Sequence, residues 1–354
     1  MRKRGFLLLF IVLFLSCQEK LSQSGYWSVS RVGTLPEATS NQAVSEGFVN
    51  KKAYIYSFGG IDSTKLYSGI HQRSYRFDVE MRQCERIEDL PDSLGKIASA
   101  ASRIDNVIYI IGGYHVFDDG TERSSGKVHR FDILRNRFLE DGANIPVPID
   151  DHVQLVWKNR YIIVITGWSD HENVPDVQVY DSSVNQWAKA SSVPDENSFK
   201  SFGASGSIIG DTIYYLGGAS MGQNYPIQSV LRKGVINKGD PTEISWSQET
   251  LESQYAGYRM ASFEKDGRIY WIGGSNNTYN YNGVAYDGTG GIDPNNRILS
   301  YHRNGFDKDF NKNITMDLRG IANIDDSVKY LVGGMQRGQE VSKDIIKLEW
   351  RELK

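Results

Sequence analysis

Six segments of the chain share one pattern, an apolar run that ends in two small residues. They read AYIYSFGG (53–60), VIYIIGG (107–113), YIIVITG (161–167), TIYYLGG (212–218), RIYWIGG (268–274) and KYLVGG (329–334). The last glycines of successive segments lie 53, 54, 51, 56 and 60 residues apart. Short apolar runs rich in β-branched and aromatic residues predict buried strands, and their recurrence at this period indicates an internal repeat.

The rest of each repeat also predicts strands. A polar loop of variable length follows each segment, and most units then have a second strand with an aromatic residue near its end. These strands read SYRFD (74–78), KVHRFD (127–132), VQVYD (177–181) and ILSYH (298–302). Turns rich in Asp and Asn come next, and then a strand that opens on a large residue such as Phe138, Trp187 or Trp246.

This unit resembles the kelch repeat, which is marked by a Gly-Gly doublet followed by a spaced Tyr and Trp. The resemblance covers the chain from Tyr26 to Lys354 and implies a β-propeller with four antiparallel strands per blade. The third unit departs from it with Thr166-Gly167 in place of the doublet, and the fourth has no Tyr-Asp strand end. We therefore expect an all-β, six-bladed kelch propeller that forms one domain over residues 26–354.

The two ends of this domain predict how the ring closes. Trp27 followed by Leu35-Pro36 matches the fourth strand of a blade, although no Gly-Gly pair precedes it. The last repeat ends with DIIKLEW (344–350), which matches a third strand. We therefore expect the N-terminal strand to be the outer strand of the sixth blade, so that no sheet edge is left open at the seam.

The first seventeen residues predict a lipoprotein signal peptide. Three basic residues at positions 2–4 precede an apolar run over 6–15, which is too short to span a bilayer. The sequence Phe14-Leu15-Ser16-Cys17 resembles a bacterial lipobox, which implies lipidation of Cys17 and a polar tether over 18–25. Gln18 follows instead of Asp, so we expect a lipid anchor in the bacterial cell envelope, at the outer membrane. The alternative is an ordinary secretory signal in which Cys17 has no role.

The composition excludes several classes of function. The 40 Lys and Arg nearly balance the 43 Asp and Glu, so there is no basic footprint for nucleic acid. Two cysteines are too few for a disulfide framework or a cysteine-rich zinc module, and no zinc spacing or phosphate-binding loop occurs. A copper site like that of galactose oxidase needs a cysteine-crosslinked Tyr, and Cys84 is predicted at the outer edge of blade 1. We expect no cofactor and no metal.

Charged residues are predicted to meet at one mouth of the propeller. In an antiparallel blade the first strand starts at the face where the second ends, so the loops after each Gly pair cover the starts of the inner strands. Counting fifteen residues back from the last glycine predicts six equivalent positions at this mouth. They are Ser45, Ala98, His152, Gly203, Arg259 and Arg319, and charged or aromatic residues beside them are Lys96, Asp150, Asp151, Lys200, Tyr258 and Asp317.

Two arginines in this set suggest a carboxylate clamp. Arg259 and Arg319 come from adjacent blades and can each bind a carboxylate bidentately, with Lys96 and Lys200 adding positive charge. The alternative is that the arginines pair with the neighbouring aspartates and only stabilise the turns of the ring.

The loops above the mouth are rich in Tyr and Asn. The fifth loop spans 23 residues, 275–297, a length more typical of binding loops than of simple connections. Aromatic faces with amide groups suit sugars, whose rings have apolar C–H faces and hydroxyl edges. The candidate ligand contacts are Trp168, His171, Tyr258, Tyr279 and Tyr281. The alternative is that these side chains only pack the loops.

Two functions fit these residues. The first is binding of a carbohydrate, such as an acidic sugar like sialic acid. At fold level the chain resembles kelch-type sialic-acid mutarotases (N-acetylneuraminate epimerases), which implies cofactor-free exchange of anomers. We expect His152 with either Asp151 or Asp150 to act as acid and base while Arg259 and Arg319 hold the carboxylate of the sugar. The second is a non-catalytic scaffold for a protein partner. Convergence of His152, Arg259 and Arg319 in a pocket favours the first, and charged groups already paired with one another favour the second.

Overall fold

The computed structural model describes residues 25–302 and 305–353, which form six antiparallel blades around one axis. Strand β1 is Gly25–Thr34. Blade 1 contains β2 (Ala43–Val49), β3 (Lys52–Phe58), β4 (Ser74–Asp78) and β5 (Gln83–Ile87). Blade 2 contains β6 (Ile97–Ile104), β7 (Val107–Val116), the short β8 (Glu122–Ser124), β9 (Val128–Asp132) and β10 (Arg137–Phe138). Blade 3 contains β11 (Val153–Trp157), β12 (Tyr161–Ile165), β15 (Val177–Asp181) and β16 (Gln186–Lys189), and the hairpin β13 (Trp168–Ser169) with β14 (Glu172–Asn173) extends from it.

The second half of the ring repeats this order. Blade 4 contains β17 (Phe202–Ile209), β18 (Thr212–Ala219), β19 (Val230–Asn237) and β20 (Asp240–Thr250). Blade 5 contains β21 (Ala261–Lys265), β22 (Arg268–Ile272), β23 (Arg297–His302) and β24 (Gly305–Phe310). Blade 6 contains β25 (Ala322–Asp325), β26 (Val328–Val332) and β27 (Asp344–Glu352), joined by β1. Single 3-10 turns occur at Tyr67–Gly69, Ser253–Tyr255 and Arg337–Gln339. The expected six-bladed all-β propeller is confirmed.

The hydrophobic core is divided among the interfaces between blades. Each of the six interfaces has its own cluster of buried apolar side chains. Between blades 3 and 4, for example, Ile163 and Val179 pack with Ile213 and Tyr215. The apolar runs that define the repeat are therefore buried on both faces of each sheet, which explains why they do not alternate with polar residues.

The N-terminal strand closes the ring as the sequence predicts. Strand β1 pairs with β27 in antiparallel register, with Trp27 opposite Trp350. The Trp27 ring also contacts Phe263 of blade 5 edge-on, with 5.1 Å between centroids. The two ends of the domain thus share one blade, and the seam is held by backbone hydrogen bonds and by aromatic packing with the neighbouring blade.

The predicted lipobox lies outside the described residues. Within the described part of the chain, no helix is long and apolar enough to cross a membrane. Cys84 lies on β5, the outer strand of blade 1, as predicted. Among the described residues it has no disulfide partner, and burial raises the pKa of its thiol to about 12.

Candidate functional site

A ring of residues with left-handed backbone surrounds the axis at or just before the starts of the inner strands. Its members, called the ring residues below, are Asn41, Ala98, Asp151, Gly203, Arg259 and Asp317, with φ between 48° and 68°. Backbone N–H groups of four of them donate to the preceding member, as from Gly203 to Asp151 at 2.7 Å and from Arg259 to Gly203 at 2.8 Å. This chain of hydrogen bonds ties successive blades together at the axis.

The positions of the ring residues show where the residue count made from the sequence was wrong. The fixed count finds the ring residue in blades 2, 4 and 5, but it selects Ser45, His152 and Arg319 where the ring residues are Asn41, Asp151 and Asp317. The hairpins between the first two strands are longer in those three blades. In blade 1, for example, the register pairs Ala43 with Phe58 and places Gly60 opposite Asn41. A residue count cannot detect such differences because the hairpin turns lie at the opposite face.

An ion-pair cluster fills the centre of the ring. The guanidinium of Arg259 donates to both oxygens of Asp151, through Nη2 at 2.7 Å and Nε at 3.2 Å, and its Nη1 lies 3.0 Å from Oδ1 of Asp317. Arg319 contacts the same Asp151 carboxylate, with Nη1 2.8 Å from Oδ1. Ser40 donates to the other oxygen of Asp317 at 2.6 Å. Both arginines are therefore engaged by carboxylates, as the alternative reading of the sequence proposed.

Two consecutive carboxyl groups in this region have opposite pKa shifts. Burial would raise the pKa of Asp151, but Arg259 and Arg319 outweigh that effect and lower it. Burial and the neighbouring charge of Asp151 raise the pKa of Asp150 well above its usual range. Ser124 donates to Asp150 at 2.6 Å and holds it in place. The surroundings therefore favour the ionised form of Asp151 and the protonated form of Asp150.

A cavity of about 230 Å³, called the crown pocket below, lies on the upper side of the ring, the side of the Gly-Gly loops. Five aromatic residues line it, and they are Tyr114, Trp168, Phe202, Tyr225 and Tyr286. Its polar lining residues are Glu122, Asp150, Asp151, Arg259 and Asn280. The rings of Trp168, Phe202 and Tyr225 contact one another edge to face, with centroids 5.4 to 5.6 Å apart. Mutual packing of the rings holds this wall in shape.

The long fifth loop crosses the crown pocket. Residues 275–296, called the strap below, lie on the loops of blades 4 and 6 through hydrogen bonds from Thr278 to the Tyr225 carbonyl at 2.8 Å and from Gln339 to the Ile292 carbonyl at 2.8 Å. Tyr281 reaches the apolar cluster of blades 1 and 2. Tyr279 is fully buried, with its hydroxyl 3.4 Å from Asp317. The strap therefore forms the roof of the site.

The other side of the ring opens into an axial channel. This cavity of about 430 Å³ is lined by inner strands of the blades and includes His152 and Arg319. His152 is 2% exposed, and burial lowers its pKa to about 4. Asp150 instead lines the crown pocket, so the histidine and Asp150 belong to different cavities. The structure therefore does not bring His152 and Asp150 together as an acid–base pair.

The remaining predicted ligand contacts lie at different places in the structure and not in one pocket. Tyr258 is buried and lies beneath the guanidinium of Arg259, 5.0 Å from ring centroid to Cζ. The Lys96 ammonium is buried 3.2 Å from Asp92, and Lys200 lies 2.6 Å from Asp195. His171 is exposed in the turn between β13 and β14. Of the predicted ligand contacts, the crown pocket contains Trp168 and Arg259.

Six of the ten lining residues of the crown pocket were not among the predicted site residues. Three of them, Tyr114, Tyr225 and Tyr286, are tyrosines of the upper loops, and the other three are Glu122, Phe202 and Asn280. Glu122 lies on β8, a short strand that pairs with the extension of β7. Phe202 directly precedes the ring residue Gly203, and Asn280 belongs to the strap. An aromatic residue directly before the equivalent position in the count was a usable signal for Phe202, whereas the hairpin that carries Glu122 has no marked pattern. In the described residues, no group of three or more His, Cys, Asp or Glu side chains is arranged to hold a metal ion.

Comparisons with known proteins agree with this architecture. No family model matches the chain. A stretch of 115 residues, 32% of the chain, is 26% identical to Kelch-like protein 15 of Gallus gallus. The match covers 22% of that protein, so the chain spans only about a fifth of the length of this relative.

A solved structure titled "Structure of YjhT" has the same fold. It superimposes with a TM-score of 0.67 over 91% of this chain and 100% of its own, at 14% sequence identity. At that identity the likeness shows the fold alone. Together with the six-bladed ring, the two comparisons confirm the resemblance to kelch propellers that the repeat indicates.

Proposed function

We propose that this kelch propeller binds a small carbohydrate in the crown pocket. The observation that carries the proposal is the lining of the pocket, which combines five aromatic rings with three carboxyl groups, one guanidinium and one amide. Aromatic rings pack against the C–H face of a sugar, while carboxyl and amide groups bind its hydroxyls. The volume of about 230 Å³ lies below the usual range of roughly 300–1,000 Å³ for ligand pockets, which suits a single sugar ring.

The charge of the pocket favours a neutral sugar over an acidic one. The guanidinium of Arg259 is engaged by Asp151 and Asp317, and Arg319 lies on the channel side of the ring. A carboxylate ligand in the pocket would have to displace Asp151 from Arg259. It would also lie beside the carboxyl groups of Glu122 and Asp150, and a second negative charge there is repelled by either group when it is ionised. Binding of an acidic sugar, which the sequence suggested, is therefore less well supported than binding of a neutral sugar.

The pocket also supports exchange of sugar anomers without a cofactor. Ring opening needs a base to accept the proton of the anomeric hydroxyl and an acid to protonate the ring oxygen as the bond from C1 to that oxygen breaks. Burial and the charge of Asp151 raise the pKa of Asp150 well above its usual range, which favours the protonated form that an acid needs. Burial also raises the pKa of Glu122, which makes it a stronger base than Asp151 beside the arginines. We assign Asp150 as the acid and Glu122 as the base.

Binding is tested by calorimetric titration of the full chain with neutral and acidic monosaccharides. We expect saturable binding of at least one neutral sugar and a loss of at least tenfold in affinity in Trp168→Ala, since aromatic stacking then disappears. His171→Ala is the matched control, because this exposed side chain of the same loop lies outside the pocket. If no sugar binds, or if Trp168→Ala binds as well as the wild type, the carbohydrate proposal is wrong.

Catalysis is tested separately by proton NMR of anomer exchange. Asp150→Asn keeps the shape of the side chain and the hydrogen bond from Ser124 but removes the acid. We expect it to bind the sugar and to lose most of the rate enhancement, whereas His152→Gln keeps it. An unchanged exchange rate in Asp150→Asn would refute this acid, and the absence of any enhancement would reduce the proposal to binding alone.

A second candidate function is a scaffold for a protein partner. The pairing of Arg259 and Arg319 with Asp151 favours it, because charged groups that are already satisfied stabilise a ring without a ligand. In that case the strap and the neighbouring upper loops form the docking surface. A pull-down with the full chain and with Tyr281→Ala separates the two candidates. A partner whose binding survives Trp168→Ala but not Tyr281→Ala supports the scaffold.

We further propose that the propeller is lipid-anchored in a bacterial cell envelope through Cys17. The basic residues, the short apolar run and the lipobox-like end carry this proposal. Fractionation of cells that express the full chain or Cys17→Ser tests it. We expect the wild type in the membrane fraction and the variant outside it. Equal membrane association of both proteins would refute the anchor.

A further inference from the structure

Ser124 binds the carboxyl group of Asp150 from behind the wall of the crown pocket. Its Oγ lies 2.6 Å from Oδ2 of Asp150. Among the described residues, no other group donates a hydrogen bond to that carboxyl. Asp150 lines the pocket, whereas Ser124 is buried and does not belong to the lining. Oδ2 is therefore engaged from behind, and Oδ1 is the carboxyl oxygen left for a ligand.

A reciprocal pair of hydrogen bonds fixes the position of Ser124. Its backbone N–H donates to Oδ1 of Asp170 at 2.9 Å, and the Asp170 N–H donates to Oγ of Ser124 at 2.9 Å. These bonds join β8 of blade 2 to the turn between β13 and β14 of blade 3. The indole of Trp168 in turn donates to the Asp170 carbonyl at 3.1 Å. One chain of hydrogen bonds therefore connects the aromatic wall of the pocket to the carboxyl group of Asp150.

The contacts of the Ser124 hydroxyl determine which oxygen of Asp150 can carry a proton. A hydroxyl has one hydrogen to donate, and Oγ already accepts from the Asp170 N–H. Among the described residues, Oδ2 of Asp150 is the one acceptor for that hydrogen. If Oδ2 instead donated a proton to Oγ, the buried hydroxyl hydrogen would have no acceptor, which is costly. Ser124 therefore donates to Oδ2, and a proton on Asp150 belongs on Oδ1.

The charges around Asp150 oppose the effect of this hydrogen bond. The nearby charged groups are Asp151, Glu122, Arg259 and Arg319. Burial and the carboxylate of Asp151 are the main causes that raise the pKa of Asp150, and the hydrogen bond from Ser124 lowers it. Ser124 thus stabilises the carboxylate form in surroundings that favour the acid form.

We propose that Ser124 is a positioning residue for the acid of the crown pocket. Its hydroxyl holds Oδ2, leaves the proton on Oδ1 for the ring oxygen of the sugar, and stabilises the carboxylate that remains. In this step the ring oxygen takes the proton and keeps the electron pair of its broken bond to C1. Glu122 accepts the proton of the anomeric hydroxyl, and C1 becomes a carbonyl carbon. The assignment rests on the proposed anomer exchange, but the hydrogen bond can be tested without a sugar.

Titration of Asp150 in the ligand-free protein tests the hydrogen bond. Carbon-13 NMR of the full chain with carboxyl-labelled aspartate follows each group with pH, and Asp150→Asn identifies the signal. We expect the midpoint in Ser124→Ala to lie at higher pH than in the wild type, because the carboxylate loses its donor. Ser124→Thr keeps a hydroxyl and should restore the midpoint. Ser125→Ala is the matched control, since Ser125 is also buried and its Oγ accepts from the Lys127 N–H.

The kinetics of anomer exchange test the positioning role. We expect kcat of Ser124→Ala to fall about tenfold with KM within about twofold of the wild type, because binding remains while proton transfer is impaired. The rate falls at high pH as Asp150 loses its proton, and this limb of the profile should move to higher pH with the midpoint. Ser125→Ala should keep the rate and the profile of the wild type.

Three results would overturn the assignment. They are an unchanged midpoint of Asp150 in Ser124→Ala, an equal change in Ser125→Ala, and a rise in KM of Ser124→Ala with kcat unchanged. If Ser124→Ala folds poorly, Ser124→Cys retains a weaker donor and should move the midpoint in the same direction by less. Because the titration needs no ligand, it decides whether Ser124 controls Asp150 even if the wild type exchanges no sugar. Failure of this assignment and failure of the proposed function are therefore distinguishable.

Discussion

The crown pocket and the axial channel lie on two sides of one ring, yet they have different walls. Loops form the crown pocket, which is lined by five aromatic rings and covered by the strap. Inner strands form the channel, whose wall is rich in small residues such as Ala100, Ser205 and Gly206. Strands that meet near an axis require small side chains, whereas loops are free of that constraint. The side chains that distinguish this propeller chemically therefore lie on the loop side, and the ring separates the crown pocket from the axial channel.

Removal of the charge that holds the ring together should have the largest effect. Asp151→Asn leaves Arg259 and Arg319 without their shared carboxylate in a buried site. We expect the free energy of unfolding to fall by about 3–5 kcal/mol, the usual cost of breaking a buried ion pair. Urea denaturation measures it. Arg31→Gln is the control, because its pair with Asp344 is mostly exposed and should contribute less than about 1 kcal/mol. A small effect at Asp151 would mean that the ring does not depend on this cluster.

A single added methyl group tests how tightly the ring is packed. Gly203 has φ of 68°, and a Cβ there would overlap the ring of Tyr258. We expect Gly203→Ala to cost about 3 kcal/mol, from the left-handed backbone and the overlap together. Gly210→Ala is a matched control with φ of 60° and no atom within 4 Å of the added carbon. It should cost about 1–2 kcal/mol. Equal losses in the two variants would show that the overlap relaxes.

The neighbouring carboxyl groups should respond to pH in opposite directions. The raised pKa of Asp150 means that the folded state holds a proton that the unfolded chain releases, so stability declines as pH rises above about 4. The lowered pKa of Asp151 means that its contribution is present above about 4 and is lost as pH falls below it.

Asp150→Asn isolates the first of these effects. We expect the variant to be more stable than the wild type at pH 7, with a gap that narrows as the pH is lowered to 4. Thermal denaturation from pH 4 to pH 8 measures the gap. A constant difference across this range would show that Asp150 is not protonated in the folded state, and the acid assigned to the crown pocket would be wrong.

The smallest effect is expected at the strap. Thr278→Val keeps the size of the side chain but removes the hydrogen bond to the Tyr225 carbonyl. We expect a loss of about 1 kcal/mol or less. Hydrogen exchange of the strap amides should accelerate, while those of the inner strands stay unchanged. If hydrogen exchange also accelerated in the inner strands, the strap would not open independently of the blades.

The second and third strands that the sequence located agree with the structure to within three residues at each end, whereas the site was predicted only in part. The doublets locate the second strands, and the predicted strand SYRFD matches β4 to the residue. The mouth was located by a fixed count that holds in three blades. His152 and Arg319 were assigned to the wrong side of the ring because hairpin length varies at the far face. Asp150 and Asp151 were singled out, but their opposite protonation depends on burial and on arginines about 110 residues away or more.

The sequence by itself determined the repeat, the number of blades and the exchange of the N-terminal strand. These follow from local patterns, since strand propensity, glycine doublets and turn residues recur in every unit. Only the tertiary structure decided which charges meet, in which direction the pKa of each carboxyl group shifts, and that the ring separates two cavities. Those properties arise where six blades converge, and the electrostatic energy of a side chain there depends on neighbours that the order of residues does not reveal.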